Sequence, residues 1–402
     1  MKFRVHFSDI AVLLFAIYNF IYAFYMAGFL RQQAYLTAVL VFILAVLTYI
    51  VILNRGKIRF RRLNFWNETS RVLQIAAAFL AITLLVQLKN RNFEAFFVIR
   101  LLYLVLPAVL VFCIANTAQE NYNIYVYIYL ARMFLQFFLI NSGDLSLSNI
   151  LNISWSDTNS SLFESTQAHE FFIMTILLLY MNKKFLAVSS TIGCLLCFKR
   201  VSFLLCLVTW FLLPCLREKS VPKWVVRLCG IGMILSPYIL LWLYTGNGSQ
   251  WFGNVFGVSL DSFTTSRMTL IKNTMLLLDG HYNGYGTIRN FFYNYSEWYR
   301  HLSTMHCDML SLYLECTIVG VIVYICNLLQ IAKKNAIIFY GFGYAFVELL
   351  VSHFIESVSA WTLLFLLSFM MEKKVCDSHI ESRMNGENTY EDGNWHYYRI
   401  QQ

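Results

Sequence analysis

The sequence predicts an all-α polytopic integral membrane protein of about twelve transmembrane helices, and three observations predict it. Apolar runs of about 18 or more residues recur along the whole chain, each long enough to cross a hydrocarbon core about 30 Å thick. Hydrophobic residues make up 58% of the 402 residues and charged residues only 13%, where soluble proteins carry about 25% charged residues. Lysines and arginines gather in short clusters between the runs, the arrangement that sets orientation in a bilayer. A net charge of +9 distributed in this way serves topology and excludes a nucleic-acid partner.

Taken in order, the spans fall at about 10–30, 34–53, 72–88, 96–115, 122–140, 168–182, 185–199, 201–216, 224–244, 307–329, 336–351 and 356–371. Met1-Lys2-Phe3-Arg4 leads into the first span without a small-residue cleavage site, so that span reads as a retained helix. With the N-terminus in the cytoplasm, the basic run 55–62, Lys183-Lys184, Arg217-Glu218-Lys219, Lys333-Lys334 and Glu372-Lys373-Lys374 all face inward, as the positive-inside rule requires. Residues 1–371 then form one transmembrane domain, with outer loops at about 141–167 and 245–306. Residues 372–402 form a polar cytoplasmic tail without fixed structure. Most of the ten cysteines lie inside apolar runs, where cysteine acts as a small hydrophobe.

The second outer loop and the helix after it concentrate the chemistry. Ser266 can cap a helix from Arg267 to about Leu278, whose Met268, Ile271, Met275 and Leu278 recur at helical spacing. Such a helix suits the membrane surface, with Arg267 and Lys272 either snorkelling or facing a site. Asp279-Gly280 and Asn283-Gly284 are turn signals that stop it. At the mouth of the next span, His306, Leu310, Tyr313, Thr317 and Gly320 fall on one helical stripe. Asp308, Ser311, Leu312 and Glu315 fall on a second. Glu315 stands two turns into an apolar span, where a carboxylate is costly unless paired or functional.

Other intramembrane charges carry two readings. Arg132 and Arg200 suit either structural pairing or an anionic substrate, because a guanidinium fork matches phosphate. Arg100 and Lys199 read as snorkelling or helix-end residues. Glu348, His353 and Glu356 cluster at the outer ends of the last two spans.

The order Ser266-Arg267, Gly284-Tyr285-Gly286, His306-x-Asp308, Glu315 and Gly320 resembles the bacterial O-antigen polymerase and O-antigen ligase superfamily. Lys199-Arg200-Val201-Ser202 resembles the arginine found between two earlier spans of that family. In residues the resemblance is specific over about 266–320; in architecture it covers most of the chain. Cys307 and Thr317 depart from the family pattern, Thr317 replacing the first of two glycines, and these departures incline toward the polymerase branch. The resemblance implies a glycosyltransferase C-like membrane fold. It also implies a metal-independent transferase, without cofactor, acting on undecaprenyl-diphosphate-linked oligosaccharide at the periplasmic face of the inner membrane. A chain-length regulator is an implied partner.

In that chemistry Arg267 binds the pyrophosphate, with Arg200, Arg132 and Lys272 as further cationic groups and Gly284 and Gly286 shaping the turn. His306 is the candidate general base. Asp308 and Glu315 orient it or the sugar hydroxyls; seven residues of helix hold them about 10 Å apart, too far to share a metal. A ligase and a lipid-linked oligosaccharide flippase are the alternatives. The topology predicts that alkaline phosphatase fused at Val255 is active in a bacterial host, and an inactive fusion inverts the orientation.

Overall fold

A computed structural model of the chain describes residues 6–54, 63–117, 121–141, 167–197, 199–217, 219–245, 248–264, 267–294 and 305–384. The basic run 55–62, most of the first outer loop, Ser266, Tyr295, Trp298, Tyr299 and the end of the polar tail lie outside the described residues. Every regular element among the described residues is helical. These are α1 (Phe7–Met26), α2 (Gln32–Leu53), α3 (Trp66–Asn90), α4 (Phe96–Ala115), α5 (Asn123–Asn141), α6 (Gln167–Tyr180), α7 (Lys184–Leu196) and α8 (Arg200–Leu216). They continue with α9 (Lys223–Thr245), α10 (Gly248–Phe256), α11 (Leu260–Phe263), α12 (Arg267–Leu278), α13 (Thr287–Asn294), α14 (Asp308–Ala332), α15 (Ala336–Val351) and α16 (Val358–Met384).

Seven of these, α1 to α5, α9 and α14, are long and apolar enough to cross a membrane; α6, α7, α8 and α15 are apolar but shorter. The chain is therefore a polytopic helical membrane protein. The faces agree: α1 buries Ala11, Phe15, Tyr18 and Ala23 at helical spacing and exposes Leu13, Ile17, Phe20 and Phe24. An exposed apolar face of that extent suits lipid.

Two departures from expectation lie in the chain's polar parts. Residues 245–306 contain four helices, α10 to α13, because their apolar positions have a cluster to pack into. The last helix continues past residue 371 to Met384; Glu372-Lys373-Lys374 are good helix formers and extend it.

The helices divide into two units, residues 1–67, 108–217 and 359–402 in the first, and 68–107 and 218–358 in the second. In the first unit α1 packs on α2 and α5, and α6 on α5, α7 and α8. α6 is buried on nearly every side, including His169 and Glu170, as a helix hydrophobic all round must be. In the second unit α14 packs against α9, α13 and α15, while α9 also carries α10 and α12. Ile271 and Leu278 of α12, Ile288 and Phe292 of α13, and Leu310 of α14 meet in one apolar cluster, which fixes α12 and α13 as polar-ended platforms beside α14.

α14 is broken at Thr317, whose φ of 61° and ψ of −179° lie outside helical backbone. A β-branched residue strains that conformation, at a cost of about 1–3 kcal/mol. Beyond the break a Cβ on Gly320 would stand 2.4 Å from the Cys316 side chain, so the kink needs a bare backbone there. Thr317→Gly relieves the strain against a loss of about 0.5–1 kcal/mol in chain entropy. The expected net effect is about 1 kcal/mol of stabilisation, read as a raised thermal midpoint in detergent; a lowered midpoint would show Thr317 making contacts worth more than the strain.

Candidate active site

The site begins with a turn. Gly284 and Gly286 have φ of 97° and 88°, backbone that side chains rarely adopt. Space also demands glycine, since a Cβ on Gly284 would meet Thr83 at 2.5 Å and one on Gly286 would meet Arg100 at 2.9 Å. The turn is clamped to the end of α3. Tyr285 donates its amide to Thr83 Oγ1 at 3.0 Å, Asn90 Nδ2 donates to the Tyr282 carbonyl at 3.0 Å, and Asn283 Nδ2 donates to the Asn92 carbonyl at 2.9 Å.

Glu315 fastens the other side. Its Oε2 accepts from the Gly286 amide at 2.8 Å and its Oε1 from the Ile288 amide at 2.7 Å. These are orphan donors at the start of α13, and a carboxylate there also complements the helix dipole. The buried carboxylate of the apolar span is thus a backbone anchor, and it aims α13 so that Arg289 projects over the end of α14.

Asp308 performs the same task for a second segment. Its Oδ2 accepts from the amides of Phe354 at 2.5 Å and Ile355 at 2.6 Å, and its Oδ1 faces His353 Nδ1 at 2.9 Å. Arg289 Nη1 lies 2.6 Å from His353 Nε2. A guanidinium only donates and a carboxylate only accepts, so the imidazole carries its proton on Nδ1 and presents its lone pair to Arg289. Glu356 closes the set, 2.9 Å from Arg100 Nη1 and 3.8 Å from Arg289 Nε. Burial pushes the Arg289 guanidinium below its ordinary range, and Glu356 opposes that shift. Tyr285, Arg289, Asp308, Glu315, His353 and Glu356 line one pocket of about 30 Å³.

The sequence-derived residues separate here. Asp308, Ser311, Leu312 and Glu315, the second stripe, all line the pocket, as does Gly286. His306 does not line it. With φ of 52° it precedes the first helical residue, so the stripe drawn from it has no helical phase at its origin. The histidine that Asp308 holds is His353. Arg267 opens α12 as expected, and its guanidinium donates to the Val351 carbonyl, bracing the chain just ahead of the His353 segment. Lys272 is half-buried on α12, away from the pocket lining, and Gly284 supports the turn from beneath.

Arg132 is paired within the first unit. Fully buried in the first unit, it donates to Glu170 at 2.6 Å, Gln136 at 2.7 Å and Ser359 at 2.5 Å, with Tyr22 and Tyr129 against its charge. Arg200 begins α8, and its side chain lies outside the described part. Lys199 Nζ stands 2.8 Å from His169 Nε2, and Arg100 is ion-paired with Glu356, so neither is a simple snorkelling residue. Sequence reasoning passed over Arg289, although its place three residues after a Gly-x-Gly turn was a usable signal. Cys307 is buried in the apolar cluster ahead of α14.

No family model, curated protein or solved structure matches the chain.

Glu315→Gln leaves one of two buried amides without a good acceptor, a loss of about 1–3 kcal/mol. It is expected to lower the thermal midpoint and to open segment 279–294 to proteolysis. Unchanged protection of that segment would show that the carboxylate is not its anchor.

Proposed function

We propose that this chain is a membrane-embedded glycosyltransferase that joins undecaprenyl-diphosphate-linked oligosaccharide units into polysaccharide at the periplasmic face of a bacterial inner membrane. The observation that carries it is the Asp308–His353 pair opening on a pocket beside Arg289, a proton acceptor next to a cation for a diphosphate. Four shorter apolar helices and the start of α16, added to the seven long spans, fit a twelve-span topology with both termini cytoplasmic. The family resemblance gains support from Thr317, which stands where the family has glycine and holds a φ of 61°.

In this reading His353 replaces His306 as general base. Its Nε2 takes the proton of the acceptor hydroxyl, and Asp308 holds the ring and stabilises the imidazolium that forms. Charge developing on the leaving diphosphate falls to Arg289, which sits in the pocket, while Arg267 braces the segment carrying His353. Stabilising that charge with fixed cations in a partly dry pocket is the larger contribution. A chain-length regulator is the proposed protein partner.

A second reading rests on the Arg132–Glu170 pair, because ion pairs inside apolar bundles also mark transport pathways; it makes the chain a flippase for the same lipid-linked glycan. One experiment separates them. Deleting the gene in a smooth strain is expected to leave single O-units on lipid A-core, whereas loss of a flippase or ligase leaves bare core. Complementation with His353→Ala or Asp308→Asn should lower chain extension by about 10²–10⁴-fold, the usual loss for a positioned base. A near-normal ladder from either variant, with the protein inserted, would refute the assignment of the site.

A further inference from the structure

The hydrogen bond between Arg289 and His353 has a consequence for when the base is available. While Arg289 Nη1 occupies the Nε2 lone pair at 2.6 Å, that nitrogen cannot accept a proton from any hydroxyl. The other ring nitrogen is committed to Asp308. The resting imidazole is therefore oriented and capped.

We propose that Arg289 is a latch on His353 that a diphosphate anion releases, so that binding of the anion frees the base. It rests on the transferase reading of this pocket.

Four observations support it. First, the pocket is part-open, and Arg289 lines it beside His353, so an arriving anion meets the guanidinium that caps the base. Second, Arg289 is the most exposed of the charged side chains that line the pocket. Its side chain is 27% exposed and stands 3.8 Å from Glu356, which Arg100 already holds at 2.9 Å. Third, the start of α13 offers an anion nothing, because the Gly286 and Ile288 amides are spent on Glu315. An arriving anion is left with the guanidinium. Fourth, the exchange is favourable, since a guanidinium fork binds charged phosphate oxygens in pairs but gives a neutral imidazole one bond.

The groups facing His353 are Asp308 from α14, Arg289 from α13 and Glu356 from its own segment, with Arg100 behind Glu356. None but Arg289 blocks Nε2. Once unlatched, Nε2 takes the acceptor hydroxyl proton as the acceptor oxygen bonds to the anomeric carbon. The bond from that carbon to the diphosphate oxygen breaks, and its electron pair leaves with the diphosphate, which Arg289 already holds. The base thus becomes competent only when the leaving group is in place, which protects the activated glycan from wasteful proton transfer.

The test uses the purified full chain in detergent and diethyl pyrocarbonate, which acylates an unprotonated, uncapped imidazole nitrogen, with His353 followed by peptide mass spectrometry. Acylation is expected to quicken by about tenfold in Arg289→Met, the factor returned when one hydrogen bond of ordinary net strength is broken. Inorganic pyrophosphate is expected to quicken it in the unaltered protein, where equal ionic strength of chloride does not. An unchanged rate in the variant overturns the latch, as does pyrophosphate that leaves the rate unchanged or slows it. The pyrophosphate arm needs no substitution and so survives a variant that fails to fold. Failure here leaves the polysaccharide ladder to judge the transferase reading, and a normal ladder from His353→Ala sinks that reading while sparing the latch.

Discussion

The site depends on one buried carboxylate and the two amides it accepts. Glu315 stands in an apolar helix, where an unpaired carboxyl is expelled or neutralised, and it is kept there by the Gly286 and Ile288 N–H groups. Those amides need it equally, being the unsatisfied start of α13 in a buried place. The turn before them can approach because Gly284 lacks the Cβ that would strike Thr83. Remove the carboxylate and the turn, the aim of α13 and the position of Arg289 lose their common reference.

Asp308 repeats the device one face-length away. Seven residues separate it from Glu315, about 10 Å along α14, and each carboxylate gathers the backbone donors of a different polar segment. Glu315 takes the 286–288 turn and Asp308 takes 353–355. The pocket is the space left between two segments pinned to one helix. This explains why two acids on one stripe do not act as an acid–base pair. They are fasteners, each holding the backbone donors of one polar segment.

Much of this was legible in the sequence and some was not, for physical reasons. The bounds of α12 follow from its caps and apolar spacing, and the structure reproduces them from Arg267 to Leu278. The Asp308–Glu315 stripe follows from helical periodicity, and the Gly-x-Gly turn from what positive φ demands. His306 misled because periodicity was extended through a residue whose φ of 52° is not helical. His353 stayed hidden as the partner of Asp308 because 45 residues and a whole helix pair separate them. No local pattern encodes such a contact. Arg100 and Glu356, 256 residues apart, were unreadable for the same reason.

Buried charge alone does not find a site in a membrane protein, and the two units show why. Arg132 in the first unit is the costlier charge by burial, fully enclosed, and Glu170, Gln136, Ser359 and two tyrosine faces surround its two Nη groups, although its Nε has no hydrogen-bond acceptor among the described residues. Releasing any one of those partners would strand a charge in the interior, so the cluster resists rearrangement. Arg289 differs in kind: it is part-exposed, holds a neutral acceptor by one bond, and makes only a long ion pair, 3.8 Å, with Glu356. Its alternatives cost little, and an anion offers it more than it has. A charge held by partners it can exchange differs from one locked in a bundle, and in the pocket of this chain the exchangeable one is Arg289.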